Sequence, residues 1–195
     1  MTATRVPKVG RGENMVNTVP RALTEGLRSF CRRISSERPR FIPSRPATDA
    51  LPSPCFDNVA RKADRAGGSI VHGWAIWTLP GIYHEAEHHA VWRDRREELV
   101  DVSPQIGETR RILFLPDPDA SFDPASPRPN VIEPATDDRA AVDLVAMAEE
   151  RNRIQLPYRG RGRLFVQFSP SDQLRLIAID RQMQELWVLL SLRAG

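Results

Sequence analysis

The chain is poor in the residues that most often announce a specialised class. It has 2 cysteines, 2 tyrosines and 4 histidines among 195 residues, and aromatic side chains make up only 7%. Two cysteines are too few to staple a small secreted scaffold, and Cys31 and Cys55 lie in compositionally different stretches, so free thiols in a reducing compartment are expected. No run approaches the roughly 18 apolar residues that a membrane span needs, and Arg, Pro and polar groups interrupt residues 1–30 throughout, so neither a span nor a signal peptide is read there. A cytoplasmic protein with no membrane association is the expectation. An excess of one charge is also missing over most of the chain. The net charge of +3 and pI near 9.3 come from the first 46 residues, where Arg5, Lys8, Arg11, Arg21, Arg28, Arg32, Arg33, Arg38, Arg40 and Arg45 face only Glu13, Glu25 and Glu37. Almost every basic residue is an arginine and only two aromatic residues, Phe30 and Phe41, lie among them, which argues against a nucleic-acid surface.

What is present is enough for one core: 195 residues, 41% of them hydrophobic, give a single domain with tails. Residues 1–50 read as a flexible Arg-rich arm, relieved by an amphipathic stretch from Arg21 to Ile34 with Leu23, Leu27, Phe30 and Ile34 on one face. Met15 is a possible alternative start. Residues 51–195 read as one α+β domain. Its first element is a helix from Cys55 to Ala66, stopped by Gly67-Gly68. β-Branched and aromatic residues then predict a strand over Ser69 to Thr78, broken by Leu79-Pro80-Gly81 and followed by strands at Tyr83 to Trp92, Leu99 to Val102 and Arg111 to Leu115. Their short connections predict an antiparallel meander.

Six prolines between Pro116 and Pro134 exclude a helix or central strand from that connection. Asp137 to Arg153 predicts a helix, and Arg163 to Phe168 a strand. Ser169-Pro170-Ser171-Asp172 is a strong helix start. The helix after it carries Leu176, Ile179, Met183, Leu186 and Leu190 at alternating spacings of three and four. Packing on its own sheet explains that stripe better than a coiled coil, because about two heptads fall short of the three or four that argue for one; a homodimer through residues 170–192 is the alternative.

All four histidines, His72, His84, His88 and His89, fall in the expected sheet. Imidazoles suit a site that titrates near neutrality better than a purely structural sheet. At a helix N-terminus the thiol of Cys55 meets unpaired N–H groups that favour the ionised nucleophile; the plainer reading is a small buried apolar residue. His89 and Asp101 lie on adjacent expected strands. With a three- or five-residue loop centred on Arg95 they stand directly opposite on one face, whereas a two-residue loop at Arg95-Arg96 separates them onto opposite faces. On the face of His89 lie Glu85 and Glu87, and Trp77 is placed near the sheet end to floor a substrate groove. Trp74 and Trp92 are expected to bury against the helices.

Cysteine at a helix start, histidine on a strand and aspartate on the next strand, in that order, resembles the papain-like and transglutaminase-like cysteine fold. His89-Ala90-Val91-Trp92 followed by Asp101-Val102-Ser103-Pro104 is similar to the transglutaminase-like His-Ala-Trp strand and its Asp-Pro-Thr-like segment, although Pro54 and Phe56 flank the cysteine where that family has a glycine- and aromatic-rich segment. The resemblance implies a Cys55, His89, Asp101 triad for acyl transfer or hydrolysis at an amide or thioester of a protein or small molecule, with no cofactor. Residues 55–117, through Gly73-Trp74, Glu85-Ala86-Glu87 and Leu113-Phe114-Leu115-Pro116-Asp117, also resemble a group of uncharacterised bacterial proteins.

Two other readings compete. His84-Glu85-Ala86-Glu87-His88 satisfies HExxH, in which two histidines one helical turn apart hold zinc and the Glu activates water. That requires a helix, and the local pattern has strand period, which places His84 and His88 on one face and Glu85 on the other. The third reading is a non-catalytic binding module whose histidines and tryptophans line a ligand groove.

Overall fold

The computed structural model describes residues 17–51, 55–105, 109–158 and 167–194. Among them it is an α+β structure of four α-helices and a six-stranded antiparallel sheet. In chain order the elements are α1 (Glu25–Ile34), β1 (Arg40–Pro43), α2 (Cys55–Ala66), β2 (Ser69–Leu79), β3 (Tyr83–Arg93), β4 (Leu99–Val100), β5 (Arg111–Pro116), β6 (Val131–Pro134), α3 (Arg139–Gln155) and α4 (Pro170–Ala194), with a 3₁₀ turn at Leu156–Tyr158. The expected α2 bounds are those observed; Gly67 and Gly68 take positive φ where the chain turns into β2. The expected strand at Arg163 to Phe168 falls largely outside the described residues. No helix among the described residues is long and apolar enough to cross a membrane.

The sheet departs from a simple meander. Its order is β1-β5-β2-β3-β4, with β6 on β3, so β5 does not follow β4 but returns to the far edge of β2, pairing Trp74 with Leu115 and Ile76 with Leu113. Outside it lies β1, in the stretch read as an arm. Residues 17–50 therefore belong to the fold: Thr24 caps α1 by accepting from the Leu27 N–H, and Leu27, Phe30, Cys31 and Ile42 are buried. The two ends of the sheet then meet. Ser44, just after β1, and Asp101, just after β4, form a parallel bridge, with Asp101 N–H donating to Pro43 O at 3.0 Å and Arg45 N–H to Asp101 O at 2.8 Å. The sheet thus curls almost into a barrel.

Strand alternation sorts the side chains. Trp74, Ile76 and Ala86 face α1 through Leu27, Phe30 and Cys31, and Ala90 and Trp92 face α2 through Val59. Trp77, Ala75 and Val91 face the other way, packing with Ile42, Leu99, Ile112 and Phe114. The three tryptophans thus divide between the faces as their parity requires. At the turn end of the β2–β3 hairpin, Leu79, Ile82, Tyr83 and Ile132 meet an α3–α4 helix pair. Ser169 accepts from Asp172 N–H at the start of α4, and Leu176, Ile179 and Met183 are buried there. The heptad-like stripe packs on its own domain.

Candidate functional site

Cys55 is the first residue of α2, and its side chain is buried. The sequence builds this helix with Cys55, Asn58 and Val59 on its inner face, a spacing of three and four that points them together at the sheet. Asn58 fastens it. Its Nδ2 donates to Leu51 O at 2.8 Å and to Ser103 Oγ at 3.2 Å, while its Oδ1 accepts from Leu51 N–H at 3.0 Å and from the Arg61 guanidinium at 2.6 Å. One buried amide therefore ties the helix bearing Cys55 to the chain before it and to the loop just after Asp101.

His89 comes from the middle of β3. On one side β3 pairs with β2 along its whole length; on the other, β6 pairs residues 83–86 and β4 pairs residues 92–93, so His89 lies between these two partners, where α2 packs against β3. Across the β2–β3 ladder His89 faces Gly73. Only glycine fits there, since a Cβ would come within 2.2 Å of Leu115 O.

The β3–β4 turn differs from the expected one. Trp92 pairs with Val100 and Arg93 with Leu99, so a five-residue loop, residues 94–98, is centred on Arg96 rather than Arg95. Asp94 Oδ1 accepts from the N–H groups of Arg96 and Glu98, and Glu97 takes a φ of 65°. His89 and Asp101 therefore share a face by parity but are displaced along it, not directly opposite. Asp101 reaches the ring because it has left β4 for the bridge to Ser44.

There the Asp101 carboxylate is fully buried and surrounded by donors. Oδ1 lies 3.2 Å from His89 Nε2 and accepts from Ser103 N–H at 3.1 Å; Oδ2 accepts from Ser44 Oγ at 3.1 Å and Gln105 Nε2 at 2.7 Å. Burial alone would raise its pKa, but the hydrogen bond and charge of His89, with the hydrogen bonds from Ser103 N–H and Gln105, hold it below the usual carboxylate value. His89 is the counterpart. Its burial favours the neutral ring, yet its interactions with Cys55 and Asp101 together raise its pKa well above 6.5. With Nε2 on Asp101, the nitrogen left for Cys55 is Nδ1. Ser44, Asn58, Ser103 and Gln105 were not singled out from sequence. The one local signal was an asparagine on the inner face of α2, one turn after Cys55.

The other anticipated residues are placed as follows. Glu85 and Glu87 share the strand face of His89. Glu85 is buried and accepts from Asn130 Nδ2 at 2.6 Å and from Asn17 Nδ2; Glu87 is exposed and accepts from Trp77 Nε1 at 2.8 Å. Trp77 is buried, with Val19 packed against its cluster. His84 and His88 lie on the opposite face, His84 against Phe30 and His88 with its Nε2 2.7 Å from Ala120 O. Burial depresses the pKa of both. Because β3 is extended, Glu85 points away from His84 and His88, so the HEAEH segment does not form the convergent zinc site that the same letters make on a helix. No group of three metal-ligating side chains gathers among the described residues.

Next to Cys55 in sequence, Phe56 stacks on Phe122 with centroids 3.8 Å apart and lies 4.9 Å from the His88 ring. A cavity of about 390 Å³ opens farther along α2, lined by Arg45, Asp49, Arg61, Lys62 and Arg65 among others; Cys55, His89 and Asp101 are not in its wall. No protein-family model, curated protein or solved structure matches the chain.

Proposed function

We propose that this protein is a cysteine-nucleophile hydrolase or acyltransferase acting on an amide or thioester, with Cys55 as nucleophile, His89 as general base and then acid, and Asp101 orienting the imidazole. The observation that carries the reading is the buried His89 ring, with Nε2 3.2 Å from Asp101 Oδ1 and its titration raised by both Cys55 and Asp101. A buried histidine needed only for packing has no use for two such partners. Asp101 accepts from Nε2–H and fixes the tautomer that leaves Nδ1 to take the thiol proton. The thiolate attacks the carbonyl carbon; the electron pair goes to oxygen, for which the Cys55 backbone N–H at the start of α2 is the candidate donor. His89 then protonates the leaving amine or thiol, and water or an amine acceptor cleaves the acyl-enzyme. Glu87, exposed on the sheet face of His89, offers an acidic contact, and the buried Trp77 holds it by donating its Nε1–H. The order of the three residues is that of the transglutaminase-like resemblance. A reducing cytoplasm keeps Cys55 free for this chemistry, and both cysteines are unpaired.

p-Nitrophenyl acetate tests the proposal without a known substrate. The expected result is a burst of p-nitrophenol matched by one acetyl group on Cys55 in a peptide mass map, lost in Cys55→Ala and strongly slowed in His89→Ala. Acetylation elsewhere, or a burst indifferent to His89→Ala, would overturn it.

A further inference from the structure

α4 has two apolar faces, and its own domain uses only one. At about 3.6 residues per turn, Leu176, Ile179, Met183, Leu186 and Leu190 line the side that packs on α3 and the sheet. Leu174, Ile177, Val188, Leu189 and Leu192 fall on the opposite side, exposed by 69%, 59%, 47%, 41% and 77%. Single exposed leucines are ordinary, but five large apolar side chains on one helical face mark a surface that takes a partner. A helix apolar on both sides is the pattern of one covered on both.

The sequence of that outer face selects the partner. From Leu174 the positions run Leu174, Ala178, Arg181, Glu185, Val188, Leu192, at spacings of four, three, four, three and four, the seam of a two-helix coiled coil. Read antiparallel about Met183, the seam is complementary to itself. Leu174 meets Leu192, Ala178 meets Val188 and Arg181 meets Glu185, while Ile177 and Leu189 flank the seam on its two sides. A two-fold axis repeats each contact, so a second copy satisfies all of them. Arg181 and Glu185 are already within 3.1 Å along the helix and are exposed by 81% and 65%, leaving both free to exchange into two pairs across the axis. In a parallel arrangement, by contrast, each charge meets its own like, so the central charges select the antiparallel register.

We propose that the outer face of α4 is the interface of an antiparallel homodimer of this chain, centred on Arg181 and Glu185. This interface is not the stripe from Leu176 to Leu190, which is occupied within the domain, and it involves none of Cys55, His89 or Asp101. The test is the mass of the full chain in solution by light scattering and sedimentation equilibrium, with the charge-swap variants Arg181→Glu, Glu185→Arg and the double swap. The expected mass is twice 22.0 kDa. Each single swap should raise the dissociation constant at least about tenfold by setting like charges together, and the double swap should restore it. Leu174→Glu should give a monomer with unchanged far-ultraviolet circular dichroism, because that side chain makes no contact in the monomer core. A monomeric wild-type chain would overturn the proposal, as would a dimer indifferent to both single swaps or a failure of the double swap to recover association.

Discussion

Ser44 donates its hydroxyl to Asp101 Oδ2 at 3.1 Å across 57 residues of sequence, and the same two residues bridge the ends of the sheet. The carboxylate facing His89 is thus held by the closure of the sheet, not by the β3–β4 hairpin alone. Ser44→Ala removes one of its donors and is expected to cost about 1 kcal/mol of stability. Urea denaturation measures that cost, and an unchanged midpoint would show that the seam does not need the hydroxyl.

The two thiols differ in surroundings and should differ in chemistry. Cys31 is buried among Leu27, Phe30 and Trp74, and desolvation pushes its pKa up to about 11. Cys55 has the His89 ring as partner. Iodoacetamide at pH 6 to 7 is expected to modify Cys55 more than roughly tenfold faster than Cys31, and His89→Ala to slow it by a similar factor. Peptide mapping against time gives both rates; equal rates at the two cysteines would contradict the assignment of a reactive role to Cys55.

His89 makes stability depend on pH with a definite sign. Its folded pKa lies well above 6.5, so its contribution is complete below about 6.5 and is lost as pH rises through the folded value. Asp101 is shifted down, so its contribution is present above the unfolded carboxylate value and is lost as pH falls through the folded one. Thermal unfolding across pH should show an alkaline limb that His89→Gln abolishes and an acid limb that Asp101→Asn reduces. In an NMR titration, Cys55→Ala should lower the His89 pKa; no change would remove the thiol from the ring's partners.

Two residues chosen for fit rather than chemistry should be sensitive. Asn58→Ala strips partners from Leu51, Ser103 and Arg61 and is expected to cost about 1–3 kcal/mol. Gly73→Ala drives a methyl into Leu115 O and is expected to cost more than about 2 kcal/mol. His84→Ala and His88→Ala should leave p-nitrophenyl acetate turnover within a few-fold of wild type if the chain retains its fold; zinc-dependent turnover lost in both would instead return the chemistry to the HEAEH segment.

How much of this was legible follows from the range of the forces involved. α2 could be read to the residue because its stop is a pair of glycines, and β2 and β3 because alternation and a Pro80-Gly81 turn are local signals. β1 escaped notice: four residues, Arg40-Phe41-Ile42-Pro43, carry too little pattern inside a basic stretch, and their strand state is imposed by β5. The short connections suggest a meander, and the observed order differs because nothing near Arg111 records that its partner is β2. The order of Cys55, His89 and Asp101 was visible, but the hairpin centre was off by one because the Asp94 side chain and a positive φ at Glu97 set the loop. Ser44, Asn58, Ser103 and Gln105 are common polar residues whose meaning lies in partners far away in sequence.

Asn58 also sets a limit on motion near Cys55. Its amide is bonded through both its oxygen and its nitrogen, so displacing α2 from the Leu51 backbone and from Ser103 breaks several hydrogen bonds at once. Next to Cys55, Phe56 is stacked on Phe122 of the proline-rich connection. The start of α2 is thus tied to the Ser103 loop by hydrogen bonds and to the proline-rich connection by a ring contact, two attachments that differ in kind.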